Sequence, residues 1–359
     1  MMPERWGWRI VRAEVSSGQR ALWIAASLLL AVVLSALLFR AAGASPAAAF
    51  TALIKGAFGS WRSASETLVA ATPLIFTGLA TAVAFRARIW NIGAEGQVFA
   101  GAMFAYWLQH GLAGMSPLVQ LPVIILGGLA GGGLYAALAA VLKTRFSVDE
   151  VISTVMLNYI IVYVLSLLLL QGPWSEPGAF FEQSAKLDPG SLLPLLSGGS
   201  RLHAGFLLAL AAAAVVHIVL ARTPVGYEIR AAGSNLRALE VQGTKPARVI
   251  LMVMVMSGAL AGLAGVAQVY GVHYRLKAGA LTGYGYTGII VAILGQLKPW
   301  GVVVAALVFG ALVTGATFMQ VKTGVPSALI YAVEAILLLC YLSGMAAAGF
   351  RLKRVQHAR

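Results

Sequence analysis

The sequence predicts an all-α polytopic membrane protein, and three observations carry that expectation. Of its 359 residues 60% are apolar and 11% charged, with a mean hydropathy of +0.85, a balance far outside that of soluble domains. The apolar residues fall in blocks of about twenty, the length that crosses a bilayer core as helix. The Lys and Arg behind the net charge of +14 collect in short segments between those blocks, so the charge reports topology. No aromatic-interleaved basic patch accompanies it, and nucleic acid is not an expected partner.

The blocks give about ten transmembrane helices, at 21–39, 66–85, 91–108, 118–141, 151–170, 204–221, 249–270, 283–297, 301–319 and 326–345. With the N-terminus inside, most of the 26 Lys and Arg fall on the cytosolic side, which puts both termini there. The first block follows Arg5, Arg9, Arg12 and Arg20 and precedes Ala42-Gly43-Ala44, a signal-peptidase-like string. It is longer than the h-region of a cleaved signal, about 7–15 residues, and reads as a retained first helix. Five helices before residue 204 and five after it give two inverted halves, the plan of transporters with a site near the midplane.

Between helices 1 and 2, Phe50, Leu53, Ile54, Ala57 and Phe58 have the spacing of an interfacial amphipathic helix over 46–60. The periplasmic loop 171–203 carries Pro173, Pro177, Pro189 and Pro194 and reads as irregular chain with one short helix. The segment 222–248 is the longest polar run of the second half, with Arg222, Arg230, Arg237, Lys245 and Arg248 against Glu228 and Glu240. Its basic balance makes it cytosolic. Glycines recur inside helices, at Gly127, Gly128 and Gly131 to Gly133, then at Gly258, Gly262, Gly265, Gly310 and Gly315. Small residues let helix backbones approach in lipid, and close packing is the expected use.

Several chemistries find no constellation. Gly283-Tyr284-Gly285-Tyr286-Thr287-Gly288 matches GxGxxG, but the next acid is Glu334 in another membrane helix, so no dinucleotide fold is implied. No Walker-type phosphate loop, HExxH, Cys/His cluster or GxSxG elbow occurs, and catalytic residues, metal and cofactor are all expected to be absent. The single Cys340 excludes a disulfide within the chain.

Polar groups at membrane depth are the candidate pathway residues, because each is costly there unless it faces a cavity or a partner. Glu95 and Gln97 open helix 3, where Glu95 suits either a helix-start cap or the solute path. Thr154 and Asn158 share a face of helix 5, and Ser257 and Gln268 one of helix 7. Tyr284 and Tyr286 stand at a glycine-broken helix start and suit a ring-shaped solute. Glu334 shares a predicted face with Ser327 and Tyr331, a stripe that lines the pathway or pairs with a neighbouring helix. Together these residues describe a polar, nearly uncharged pathway. Arg275 and Lys277 read as solvated charges, and Asp149-Glu150 is the one acidic pair near a membrane face.

The strings PLIFTGLATAVAFRARIWNIGAEGQ (73–97), VDEVISTVMLNYI (148–160), TPVGYEIRAAGSNLRALEVQGTKPARV (223–249), SGALAGLAG (257–265) and GYGYTGIIVAILGQLKPWG (283–301) carry a resemblance. The chain resembles the inner-membrane permease subunits of bacterial ATP-binding-cassette importers, in the branch of branched-chain amino acid, ribose-type sugar and nucleoside permeases, and is most similar to the nucleoside and simple-sugar group. The resemblance implies a single transmembrane permease domain over 1–359 in the bacterial inner (plasma) membrane, with ATP hydrolysis on a partner chain. The implied partners are a cytosolic ABC ATPase, a second permease copy or paralogue, and an extracytoplasmic solute-binding (lipo)protein. It also implies that Gly233, Asn235, Arg237, Ala238 and Glu240 form an ATPase-coupling element within 222–248. The chain departs from the family there, with Ala238-Leu239-Glu240 where relatives have paired alanines and then a Gly-Ile step.

A nucleoside is the expected solute, or a simple sugar, with branched-chain amino acids as the alternative. Two other classes make different demands. A secondary transporter working without an ATPase would use Glu334 as its ion-coupling carboxylate, and an intramembrane enzyme would use Asp149-Glu150.

Overall fold

A computed structural model describes residues 6–12, 16–112, 114–170, 172–178 and 180–356. Each of the ten predicted segments is helical: α1 (Ser17–Ala41), α3 (Trp61–Arg86), α4 (Ala94–Gln109), α5 (Pro117–Phe146), α6 (Glu150–Leu170), α7 (Gly205–Arg222), α10 (Pro246–Gln268), α11 (Tyr284–Leu294), α12 (Pro299–Thr323) and α13 (Leu329–Gly349). Among the described residues eight of these are long and apolar enough to cross a membrane. The exceptions are α4 and α11, at 16 and 11 residues. At 1.5 Å per residue neither covers a core of roughly 30 Å. The segment expected to be an interfacial helix is helical as α2 (Pro46–Phe58), and the polar segment folds as two short helices, α8 (Pro224–Ser234) and α9 (Leu236–Val241).

The chain divides into two compact units, residues 1–56 with 315–359, and residues 57–314. In the first, a two-stranded antiparallel ribbon joins the chain ends, β1 (Trp6–Arg12) with β2 (Phe350–Gln356), in register from Trp6 opposite Gln356 to Arg12 opposite Phe350. The ribbon lies beyond the spans and was not anticipated from hydropathy. It leads into α1 and α13, which pack so closely that a Cβ on Gly344 would stand 2.6 Å from Ser27 Cβ.

The predicted Ser327, Tyr331 and Glu334 stripe does not survive. The chain turns at Pro326, with the Leu329 amide donating to Pro326 O at 3.0 Å, so α13 starts beyond Ser327. Tyr331 is 65% exposed, whereas Glu334 is buried, and among the described residues nothing hydrogen-bonds its Oε1.

In the second unit α10 is central, packed against α3, α4 and α5. Glycine lets the backbones meet. A Cβ on Gly132 would lie 2.1 Å from Gly258 O, one on Gly262 2.0 Å from Gly128 O, and one on Gly265 2.1 Å from Val98 O. No hydrophobic effect drives helices together in lipid, so these contacts of α10 with α5 and α4 depend on the missing side chains.

The loop 172–203 is laced to the segment after α10, with the amides of Ser184, Leu187 and Leu193 donating to Leu276 O, Tyr274 O and Tyr270 O at 2.9 to 3.0 Å. Arg275, expected to be solvated, instead pairs with Glu176 at 2.7 Å and anchors the same loop. His203 closes it. Its Nδ1 accepts from the Gly205 amide at 3.2 Å, and a Cβ on Gly271 would meet its ring at 2.5 Å.

Burial pushes the His203 imidazole down from 6.5 to about 4, so it is neutral in the folded protein at pH 7. The unfolded chain binds this proton more readily, so the His203 contribution is complete above about pH 6.5 and falls between there and about pH 4, by about 3 kcal/mol. Thermal unfolding of purified protein across that window should show the decline, and His203→Gln should flatten it.

Candidate functional site

The buried polar residues gather around residues 91–97. After α3 the chain makes a tight turn through Arg88, in the left-handed region at φ 56, and Asn91 then folds back on itself. Its Oδ1 accepts from the Gly93 amide and from Gln97 Nε2, both at 3.0 Å. Its Nδ2 donates to Gln97 Oε1 at 3.0 Å and to Ser257 Oγ at 2.9 Å, and Ser257 donates to Ala80 O at 2.7 Å. These groups are buried, and their mutual bonding is what permits it. The network ties α3, α4 and α10 at one point.

Asn158, on α6, reads the same turn from the other side. Its Oδ1 accepts from the Gly96 amide at 2.8 Å, and its Nδ2 donates to Ile92 O at 3.0 Å and to Tyr286 Oη at 3.3 Å. Tyr286 is 40% exposed, so here the buried network meets accessible surface.

Glu95 supplies the charge. Its carboxylate accepts from the amides of Gly283 and Gly285, the latter at 2.7 Å, at the head of α11. Gly283 sits at φ +99 as the N-cap, and a Cβ on Gly285 would lie 2.2 Å from the Glu95 amide. The two short helices therefore meet at their N-termini, α4 with Glu95 in its first turn and α11 with its free amides on that carboxylate. Two positive helix ends converge on one negative group, which compensates both. Ahead of α11, α10 ends in a π-helical turn, Val269–His273, a geometry frequent at functional sites.

Of the predicted pathway residues, Glu95, Gln97, Asn158, Ser257 and Tyr286 thus come together, joined by Asn91, which sequence reasoning did not single out. Tyr284 is half-buried on the first turn of α11. Gln268 is buried at the end of α10, and Glu334 lies in the other unit. Thr154 donates to Glu150 O at 2.6 Å, closing its hydroxyl within α6. The acidic pair is equally engaged: Asp149 Oδ1 accepts from the Val151 amide at 2.8 Å, and Glu150 pairs with Lys143.

The predicted coupling residues lie on α8 and α9. Thr223 Oγ1 caps α8 through the Gly226 amide at 3.2 Å, and Pro224 occupies its first turn. Gly233 touches the end of α3, where a Cβ would lie 2.0 Å from Arg86 O. Asn235 Oδ1 accepts from the Arg237 amide at 3.0 Å and starts α9. Leu239 is buried beneath it, while Asn235, Arg237 and Glu240 are exposed. The side chain of Ala238 lies outside the described residues. Arg86 Nε in turn donates to Leu297 O at 2.8 Å, joining the end of α3 to the turn between α11 and α12.

Residues 63–342 match the family described as branched-chain amino acid transport system / permease component. Over 324 residues the chain is 36% identical to a guanosine ABC transporter permease protein of Bacillus subtilis, covering 89% of this chain and 92% of that one. It is 34% identical over 285 residues to a glucose ABC transporter permease protein of Haloferax volcanii, with 77% and 74% covered. It is 32% identical over 317 residues to a nucleoside ABC transporter permease protein of Lactococcus lactis subsp. cremoris, with 85% and 86% covered. With its polytopic helical fold and a family match along most of its length, the chain belongs to the branched-chain amino acid transport system / permease component family.

Proposed function

We propose that this chain is the membrane-spanning permease subunit of an ATP-driven importer in the bacterial plasma membrane, and that its solute is a nucleoside. The observation that carries the reading is similarity along most of the chain to permeases named for guanosine and for nucleosides. The site is compatible in chemistry. Its charge, Glu95, is occupied by the head of α11, which leaves amide, hydroxyl and phenol groups as the remaining polar chemistry around it. Tyr286 offers an accessible ring for a base, with its hydroxyl held by Asn158. Similarity to a permease named for glucose supports a second reading, a simple sugar, which shares the polar uncharged character.

In this reading α4 and α11 are the third segments of two inverted halves, and their meeting N-termini lie near the midplane. The β1 and β2 ribbon supports placing both chain ends on one side, and the basic balance makes that side the cytosol. A cytosolic ABC ATPase docks on α8 and α9, a second permease copy or paralogue completes the pathway, and an extracytoplasmic solute-binding lipoprotein delivers the solute. Closure of the ATPase pair pushes α8 and α9. Gly233 against Arg86 passes that displacement to α3, and Arg86 to Leu297 passes it to the base of α11.

Reversing the exposed charges of α9, Arg237→Glu with Glu240→Lys, tests this route. ATP-driven uptake by the assembled importer should fall by at least about tenfold, since like charges facing across an interface are strongly unfavourable. Membrane insertion should be unchanged. Uptake at the unaltered rate would contradict the coupling role.

A further inference from the structure

A basic cavity of about 480 Å³ lies where α3, α7, α8 and the turn before α12 meet. Arg86, Arg230, Lys298 and His217 line it, and its lining includes no carboxylate. The ion pairs among the described residues, Lys143 with Glu150, Arg201 with Glu66 and Arg275 with Glu176, all lie elsewhere. Among the described residues, three cations therefore face one cavity whose lining supplies no carboxylate. The backbone adds to the field. Trp300 and Gly301 precede the first closed turn of α12, in which the Val302 amide donates to Lys298 O at 2.8 Å, so their amides have no intrahelical acceptor. On the opposite wall Arg230 donates to Leu220 O in the last turn of α7, which orients its guanidinium. The Arg86 guanidinium is oriented by its bond to Leu297 O at 2.8 Å.

We infer that this cavity binds the phosphate group of an anionic phospholipid of the cytosolic leaflet. Phosphate chemistry follows from the convergence of guanidinium, ammonium and helix N-terminal amides. A lipid, rather than free phosphate, follows from what adjoins the cavity. Trp300 stands beside it 48% exposed, as an interfacial indole does. On α12 Val304 and Val308 are 63% and 46% exposed one and two turns further on, and on α7 Val215 and Ile218 are 58% and 51% exposed beside His217. These apolar side chains give an acyl chain a track leading from the phosphate. Because Arg230 belongs to α8, the bound lipid touches the coupling element directly. The assignment to the cytosolic leaflet rests on the proposed orientation of the permease.

Native mass spectrometry of the full chain, titrated in neutral detergent with phosphatidylglycerol or phosphatidylcholine, tests the site. Phosphatidylglycerol should bind in preference. Arg230→Gln with Lys298→Gln should raise its dissociation constant about thirtyfold, at about 1 kcal/mol for each charge lost. Lys298→Arg and the remote Lys322→Gln should leave it unchanged. If the double variant is not monodisperse, Lys298→Gln alone should give about a fivefold rise. Equal phosphatidylglycerol affinity in wild type and variants would overturn the proposal. So would inorganic phosphate that displaces the lipid and gives the same thermal stabilisation, or loss of ATPase co-purification with lipid binding intact, which would assign the cations to an acidic partner surface. None of these readouts uses transport. The orientation is checked separately by maleimide labelling of Lys298→Cys from either side, so labelling from outside would refute the topology without touching the lipid result.

Discussion

Replacing Gly262 by alanine is expected to lower the thermal stability of the purified permease by about 3 kcal/mol, the upper part of the usual range for overpacking a close contact. The new methyl would stand 2.0 Å from Gly128 O and 3.2 Å from Gly132 Cα. Both obstacles are backbone, so no rotamer change can make room, and α10 has to move away from α5. Because α10 also packs on α3 and α4, the displacement reaches the Asn91 network through Ser257. Gly111→Ala is the matched control, since nothing lies within 4 Å of the added atom, and its effect should stay within about 0.5 kcal/mol. Equal unfolding temperatures for the two variants would contradict the packing account.

Glu95→Ala is expected to have the largest effect on transport. It leaves the amides of Gly283 and Gly285 without their acceptor, at about 1–3 kcal/mol each, and removes the negative group between two helix N-termini. The head of α11, with Tyr284 and Tyr286, then loses its fixed position. Uptake by the assembled importer should drop by at least about tenfold. Glu95→Gln retains one acceptor oxygen and should recover part of the loss. Full uptake in the alanine variant would show that Glu95 does not position α11.

Much of the fold was legible because lipid imposes a simple rule on sequence, a long apolar block for every span, and each predicted segment is helical. The departures have physical reasons. Helix 3 was expected from 91, but Asn91 to Gly93 turn instead, since the Asn91 amide side chain bonds the backbone two residues on. The β1 and β2 ribbon pairs residues some 340 positions apart, and alternation in seven-residue strands does not disclose such a partner. At the site, Glu95, Gln97 and Asn158 stood out as polar groups at membrane depth. What each of them bonds was not readable, because Asn158 meets Gly96 and Glu95 meets Gly283 across 62 and 188 residues. Asn91 lay inside the NIGAEGQ string, and Ser257 was placed on a polar face of its helix. Their mutual bond, across 166 residues, is a tertiary fact that spacing does not encode.

The central claim is that this chain conducts a nucleoside when driven by ATP from a partner. Uptake of labelled guanosine into proteoliposomes holding the assembled importer, with ATP on the cytosolic side and unlabelled nucleosides or glucose as competitors, tests it most directly. The account predicts ATP-dependent accumulation that excess nucleoside suppresses and glucose does not. Accumulation blocked by glucose alone, or guanosine uptake that proceeds without ATP, would contradict it.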